Sequence, residues 1–164
     1  ATAAADEEAF RGCDSMRITL GIGKDVAVGR SSIHGWGAFI QEPAEKGEFI
    51  KEYIGEVISQ DEGDRRGKIY DKVKTSFLFD LNEDRVIDST RKGNSAKYWN
   101  HSDQPNCYPK VVSINGDHKI GFFAKRSIVP GEELTFDYRY AQQEDAEAAK
   151  RKKQPAKAKR ERSG

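Results

Sequence analysis

The sequence predicts a mainly β, β-rich mixed domain, and three observations carry that expectation. Short runs of β-branched and aromatic residues recur between turn signals along the middle of the chain. Asn115-Gly116 sits between two such runs, Val111 to Ile114 and Lys119 to Ala124, which is the strongest short hairpin signal. Helix-start chemistry is confined to two short places, after Ser59 and after Asn94.

Taken in order, residues 1–24 show no sustained period and read as a partly ordered lead-in. Val26-Ala27-Val28 starts a strand, His34-Gly35-Trp36-Gly37 punctuates it, and Ala38-Phe39-Ile40 resumes. Pro43 and Gly47 bound a turn, after which Phe49 to Ile58 is β-rich and partly alternating. Ser59 with Glu62 makes a capping box for a short helix from Gln60 to about Arg66. Phe77-Leu78-Phe79 and Val86-Ile87 read as strands joined by the polar turn Asn82-Glu83-Asp84. Asn94 caps a brief helix from Ser95 to Trp99. Pro130-Gly131 is a turn, and Leu134 to Tyr138 is the last strand.

Composition bounds the rest. The chain has 164 residues, 36% of them hydrophobic, with a mean hydropathy of −0.82, so polar ends surround one ordinary globular middle. No apolar run approaches the ~18 residues of a membrane span, and the Ala-rich, acidic start lacks the apolar centre of a signal peptide. Cys13 and Cys107 stand far apart and make neither a disulfide framework nor a self-contained zinc site. These features predict an intracellular protein, which sets aside the glycosylation reading of Asn100-His101-Ser102. From Ala141 onward eight bases face four acids, about +4, so the remainder of a chain of net charge +1 carries about −3. The bland reading of such a tail is a solvated, disordered end; the sharper one is a phosphate-binding tether for nucleic acid.

Three separated stretches carry groups with chemical use. Gly35-Trp36-Gly37 lets backbone approach a ligand closely and offers an aromatic face, although a Gly-x-Gly is more often a plain turn. Tyr98 to Cys107 sets two aromatics beside Asn100, His101 and Ser102 in an irregular loop. Loops of this kind carry function or stitch segments together, and a lone Asn and His there are more often backbone hydrogen-bond partners. Glu132 to Tyr140 reads first as an amphipathic strand with aromatic cross-strand packing.

In their order, Gly35-Trp36-Gly37, Glu52-Tyr53-Ile54-Gly55-Glu56, Asn100-His101-Ser102 with Pro105-Asn106-Cys107, Gly131-Glu132-Glu133-Leu134 and Phe136-Asp137-Tyr138 resemble the SET-domain protein lysine methyltransferases. The likeness runs from about Lys24 to Tyr140. Within the family, Ser59-Gln60-Asp61-Glu62, Asp64 to Lys68, Ser76 to Phe79, Thr90 to Asn94 and Asn115 to His118 look like the Enhancer-of-zeste branch, the catalytic subunit of Polycomb repressive complex 2. The resemblance implies small curved sheets around a knot-like crossing, in which the chain near Phe136 to Tyr138 threads the segment after Asn100-His101. It divides the chain into residues 1–23, the end of a cysteine-rich pre-SET region, a catalytic domain over 24–140, and a basic tail over 141–164.

It also implies S-adenosylmethionine as cofactor, S-adenosylhomocysteine as product, and no metal in this segment. Gly35, Trp36, Gly37, Ser76, Phe77, Asn100, His101 and Tyr138 match cofactor-binding positions. Tyr138, Tyr53 and His101 match catalytic ones. Tyr53, Phe79, Ser89, Trp99, Phe136 and Tyr140 match the channel for the substrate lysine. Asp103 stands where a post-SET zinc cluster would take a cysteine, and no cysteine follows Cys107, so that cluster cannot be built. Cys13 falls where the last cysteine of the pre-SET module would lie, without its partner ligands, as in a catalytic segment cut from a longer protein. Trp99 and Ser89 replace small residues beside the channel, which leaves the degree of methylation open. The expected partners are the histone H3 tail and Polycomb subunits, in the nucleus. The competing reading is a chromatin-binding module that keeps the fold without turnover.

Overall fold

The computed structural model describes residues 14–73 and 76–139. Its strands lie in four small sheets. Strands β1 (Val26–Arg30) and β2 (Trp36–Ile40) pair antiparallel. β3 (Phe49–Tyr53) joins the hairpin of β8 (Cys107–Ile114) and β9 (Asp117–Ala124) in the order β3-β9-β8. β4 (Glu56–Ser59), β6 (Arg85–Asp88) and β5 (Leu78–Asp80) form the third sheet, with β6 central. β7 (Asn100–His101) and β10 (Thr135–Phe136) pair in parallel. The β-rich expectation holds, and the reasons are local. At the β8–β9 turn Asn115 has φ 52° and Gly116 φ 86°, the left-handed pair that an Asn-Gly hairpin requires.

Several elements depart from their sequence expectation. The run from Phe49 to Ile58 breaks at Ile54-Gly55 and feeds two different sheets. A Cβ at Gly55 would lie 2.5 Å from the Asp88 carbonyl oxygen, so only glycine lets the chain cross there. The helix after Ser59, α2, runs over Gln60–Lys72 rather than ending near Arg66. Its glycines allow the extension: Gly63 packs against Val86 and Gly67 against Leu78, seating the helix on β6 and β5. Ser59 Oγ does accept the Glu62 N–H at 3.3 Å, but the Glu62 carboxylate turns to Arg65 and Arg66, so only half of the capping box forms. The lead-in contains a helix the sequence did not reveal, α1 (Asp14–Thr19). At six residues it is too short to show a period, and its Ile18 is buried against Phe49 and Phe123.

The last strand is shorter than expected because its segment has partners on two sides. Gly131 N–H donates to Ile40 O at 2.7 Å and Leu134 N–H to Ala38 O at 2.7 Å, on the β2 side. Ser102 N–H donates to Phe136 O at 3.2 Å, on the β7 side. The loop after β7 then closes over the segment. Asn106 Nδ2 donates to Glu133 O at 2.8 Å, its Oδ1 accepts the Thr135 N–H at 2.9 Å, and Lys125 N–H donates to Asn106 O at 2.8 Å. The backbone of 131–136 is thereby enclosed, which is the threaded crossing. The main core gathers around it, with Ile40, Ile50, Trp99, Phe122 and Leu134 all nearly inaccessible. Tyr140, Cys13 and the basic tail lie outside the described residues.

A buried ionic cluster holds α2 to the third sheet. Asp88 is fully buried and receives Arg66 Nη1 at 2.8 Å, the Tyr70 hydroxyl at 2.8 Å and the Thr90 N–H at 2.9 Å. Burial pushes the Asp88 carboxyl up, but Thr90, Arg66 and Tyr70 outweigh it and hold it at about 2. A carboxyl held below its ordinary value stabilises the fold above that value and loses the contribution as pH falls toward the folded one. Asp88→Asn is therefore expected to cost about 2 kcal/mol at pH 7, a penalty that shrinks between about pH 4 and pH 2. Urea unfolding of both proteins across that range checks it.

Candidate active site

The two-residue strand β7 is the hub. The Asn100 side-chain amide nitrogen lies 2.8 Å from Glu133 Oε1, 3.0 Å from Trp36 O, 3.1 Å from Ser31 Oγ and 3.2 Å from His34 O. Ser31 Oγ itself donates to Glu133 Oε1 at 2.7 Å. One amide thus pins the turn before β2 to the crossing segment. Gly35, at φ 47°, makes that turn possible. A Cβ at Gly37 would collide with the Glu133 carboxylate and lie 3.0 Å from Ser31 Cβ. Gly37 is therefore required by this polar cluster, whatever ligand its backbone also approaches. Trp36 stays half exposed, with the Arg30 guanidinium 4.6 Å from its ring centre.

His101, next along β7, looks outward. Its Nδ1 accepts the Tyr138 N–H at 3.2 Å, and its Nε2 lies 3.4 Å from Asp103 Oδ1. Tyr138 then turns its ring over Phe136, with centroids 4.7 Å apart, and donates its hydroxyl to Trp99 O at 2.8 Å.

Tyr138 and Trp99 belong to the wall of a cavity of ≈ 350 Å³. Tyr53, Phe79 and Phe136 are in the same wall. Phe79 stacks on Phe136 at 5.9 Å, and Tyr53 stands 5.2 Å from Phe79. The Tyr53 hydroxyl donates to Phe77 O at 2.7 Å. Burial pushes both phenols up, so each remains a neutral hydroxyl in the working range. Trp99 is 1% exposed and tilts onto Phe122 at 4.3 Å.

The sequence-derived residues thus fall into two groups. Tyr53, Ser76, Phe77, Phe79, Trp99, Phe136 and Tyr138 share the cavity. Gly35, Trp36, Gly37, Asn100 and His101 meet at β7 and are not in its wall. Ser89 is in neither group: it is fully buried and its hydroxyl donates to Ile54 O. Sequence reasoning gave no role to Lys97, Leu78 and Asp80, which also line the cavity, nor to Ser31 and Glu133 in the Asn100 cluster. Lys97 and Asp80 had no spacing signal, since a charged residue in a short turn or strand normally faces solvent.

The Asn100 cluster predicts an order of stabilities. Asn100→Ala removes a donor that buried acceptors need and should cost about 1–3 kcal/mol. Asn100→Asp places a second carboxylate against Glu133 and should cost more. Thermal unfolding of the two variants checks the ranking, and equal losses would make the cluster a packing feature only.

Comparison with known proteins agrees with this arrangement. Residues 35–139 match the family model described as "SET domain". The chain is 50% identical over 128 residues to the histone-lysine N-methyltransferases EZ2 and EZ3 of Zea mays, and 49% identical to EZ1 of Oryza sativa subsp. japonica. The match covers 78% of this chain and 14% of each relative, so the chain spans about a seventh of their length. The residues lining the cavity and the enclosed crossing all fall inside the matched span, and the chain belongs to the SET-domain family.

Proposed function

We propose that this chain is the catalytic segment of a histone-lysine N-methyltransferase that moves a methyl group from S-adenosylmethionine to a lysine of the histone H3 tail. The observation that carries the reading is the aromatic cavity with the Tyr138 hydroxyl in its wall. In this reading the protein works in the nucleus with Polycomb-type partner subunits, since the relatives are named as histone-lysine methyltransferases.

The reaction asks for a neutral amine, yet a free lysine has a pKa near ~10.4. An apolar, aromatic cavity disfavours the ammonium and lowers that value. Its walls also confine the chain of the lysine to one approach direction, the positional part of the rate. Both tyrosine hydroxyls spend their proton on a backbone carbonyl, Tyr53 on Phe77 O and Tyr138 on Trp99 O. Their lone pairs are left to accept from C–H or N–H groups in the cavity. Phe136, without a hydroxyl, accepts nothing and leaves room beside the amine.

The residues present fit S-adenosylmethionine. Trp36 and Tyr138 are half-exposed aromatics flanking β7, surfaces that an adenine or a sulfonium would cover. When bound, that cofactor supplies an electrophilic methyl group. Gly35, Trp36, Gly37, Asn100 and His101 would hold it from the β7 side, with Ser76 and Phe77 on the cavity side.

Tyr138→Phe keeps the ring and loses the oxygen. It should cost at most about 1 kcal/mol of stability, from the lost bond to Trp99 O. The larger loss should fall on kcat, with S-adenosylhomocysteine affinity little changed. Isotopic methyl transfer to H3 peptides, with the full-length protein and its partner subunits, checks both; full activity in the variant would sink the mechanism.

Phe136→Tyr should shift the product toward monomethyl-lysine, because an added hydroxyl takes the space of a growing methylammonium. Mass spectrometry of the peptide reads this out. A wild type that stops at monomethyl would instead assign the limit to Trp99, whose indole already fills part of the wall.

A further inference from the structure

We propose that Lys97 is a positioning charge for the reaction, a fixed cation in the cavity wall that lowers the pKa of the incoming substrate lysine. The inference rests on the methyltransferase reading above and adds a residue to it. Lys97 lies in the 3-10 turn Ser95–Tyr98 and lines the same cavity as Tyr53, Phe136 and Tyr138. Its place is held by its neighbours. Nζ donates to Ser89 O at 3.4 Å and sits 5.4 Å from the Phe77 ring centre and 5.2 Å from that of Tyr98. An ammonium tethered by a carbonyl and two aromatic faces keeps a defined location, and among the described residues no carboxylate pairs with it.

The other charged and titratable groups in and around the cavity are paired, solvated or neutral. From β5, Asp80 accepts the Gln60 side-chain amide at 3.4 Å and is open to solvent, which screens it. From β6, behind the wall, the buried Asp88 is paired with Arg66 and bonded by Tyr70 and Thr90, and what is left of its charge acts on Tyr53. From β3, Glu52 pairs with Lys119 at 3.4 Å, and the Tyr53 phenol is held neutral by burial. After β10, burial also pushes the Tyr138 phenol up, and Tyr98 belongs to the turn of Lys97 itself. Two cations in one cavity repel, and the proton of the substrate ammonium leaves for solvent more readily. Within one cavity of ≈ 350 Å³, and at an effective dielectric of about 20, the effect is on the order of one pKa unit, about tenfold in neutral amine. A lysine activated by a neighbouring cation is an established device.

The test is the pH profile of kcat for methyl transfer to an H3 peptide, in the assembled full-length enzyme, for wild type, Lys97→Met and Lys97→Arg. Lys97→Met should move the apparent pKa of the rising limb up by about one unit. Its rate should be about tenfold low at neutral pH and converge on wild type at high pH. Lys97→Arg restores the charge and should restore the profile. A Lys97→Met loss that is the same at every pH would assign Lys97 a structural role and overturn the proposal, as would an unchanged profile. Wild type with no transfer at any pH, although it binds S-adenosylhomocysteine and peptide, would overturn the methyltransferase reading itself and this inference with it.

Discussion

The structure depends on hydrogen bonds made by two asparagines to one enclosed strand. Asn100 and Asn106 bracket the loop that passes over residues 131–136, and each spends its side chain on the crossing. The backbone there has partners on both sides and the Glu133 carboxylate inside, so its polar groups are met without a wide sheet. Remove that satisfaction and four small sheets of two or three strands have little to hold them together, since each alone is marginal. The core residues Ile40, Trp99, Phe122 and Leu134 come from elements that meet only because the crossing brings them together.

The same bonds set the geometry of the site. β7 ends where Phe136 and Tyr138 turn into the cavity, so any shift of the crossing moves the wall. Asn100 fixes the Trp36 turn from the other side. Structure and site therefore share residues, and the polar loop that looked like a binding element is first a structural staple. Asn100 fulfils the plain expectation of a backbone hydrogen-bond partner, through His34 O and Trp36 O.

Much of the fold was legible in the sequence because its signals were local. The Asn115-Gly116 hairpin, the Asn94 cap, whose side chain accepts the Ala96 N–H at 3.1 Å, and the β1 and β2 strands need only near neighbours to form. What the sequence hid was tertiary. Gly55 breaks one β run into two sheets because of Asp88, far away in sequence, and α2 outlasts its expected end because Gly63 and Gly67 fit Val86 and Leu78. Among the site residues, the aromatics of the cavity were found through the family likeness, which also brought in Ser89, a residue now seen bonded to Ile54 O outside the wall. Lys97 was missed because nothing near it in sequence distinguishes a cation held over two rings from one left in solvent.

The crossing also governs when the site can exist. Ser31 and Glu133 are 102 positions apart, and Asn100 bonds residues 64 to 69 positions before it as well as one 33 after it. Contacts at such separations close late, because the loop entropy is lost before the bonds form. A ribosome-bound chain that has not yet exposed Glu133 to Tyr138 has the β8–β9 hairpin and the α2 helix within reach, but it lacks Phe136 and Tyr138 from the cavity wall and the Glu133 acceptor of Asn100. The site therefore exists either finished or not at all, with no half-built form of its wall.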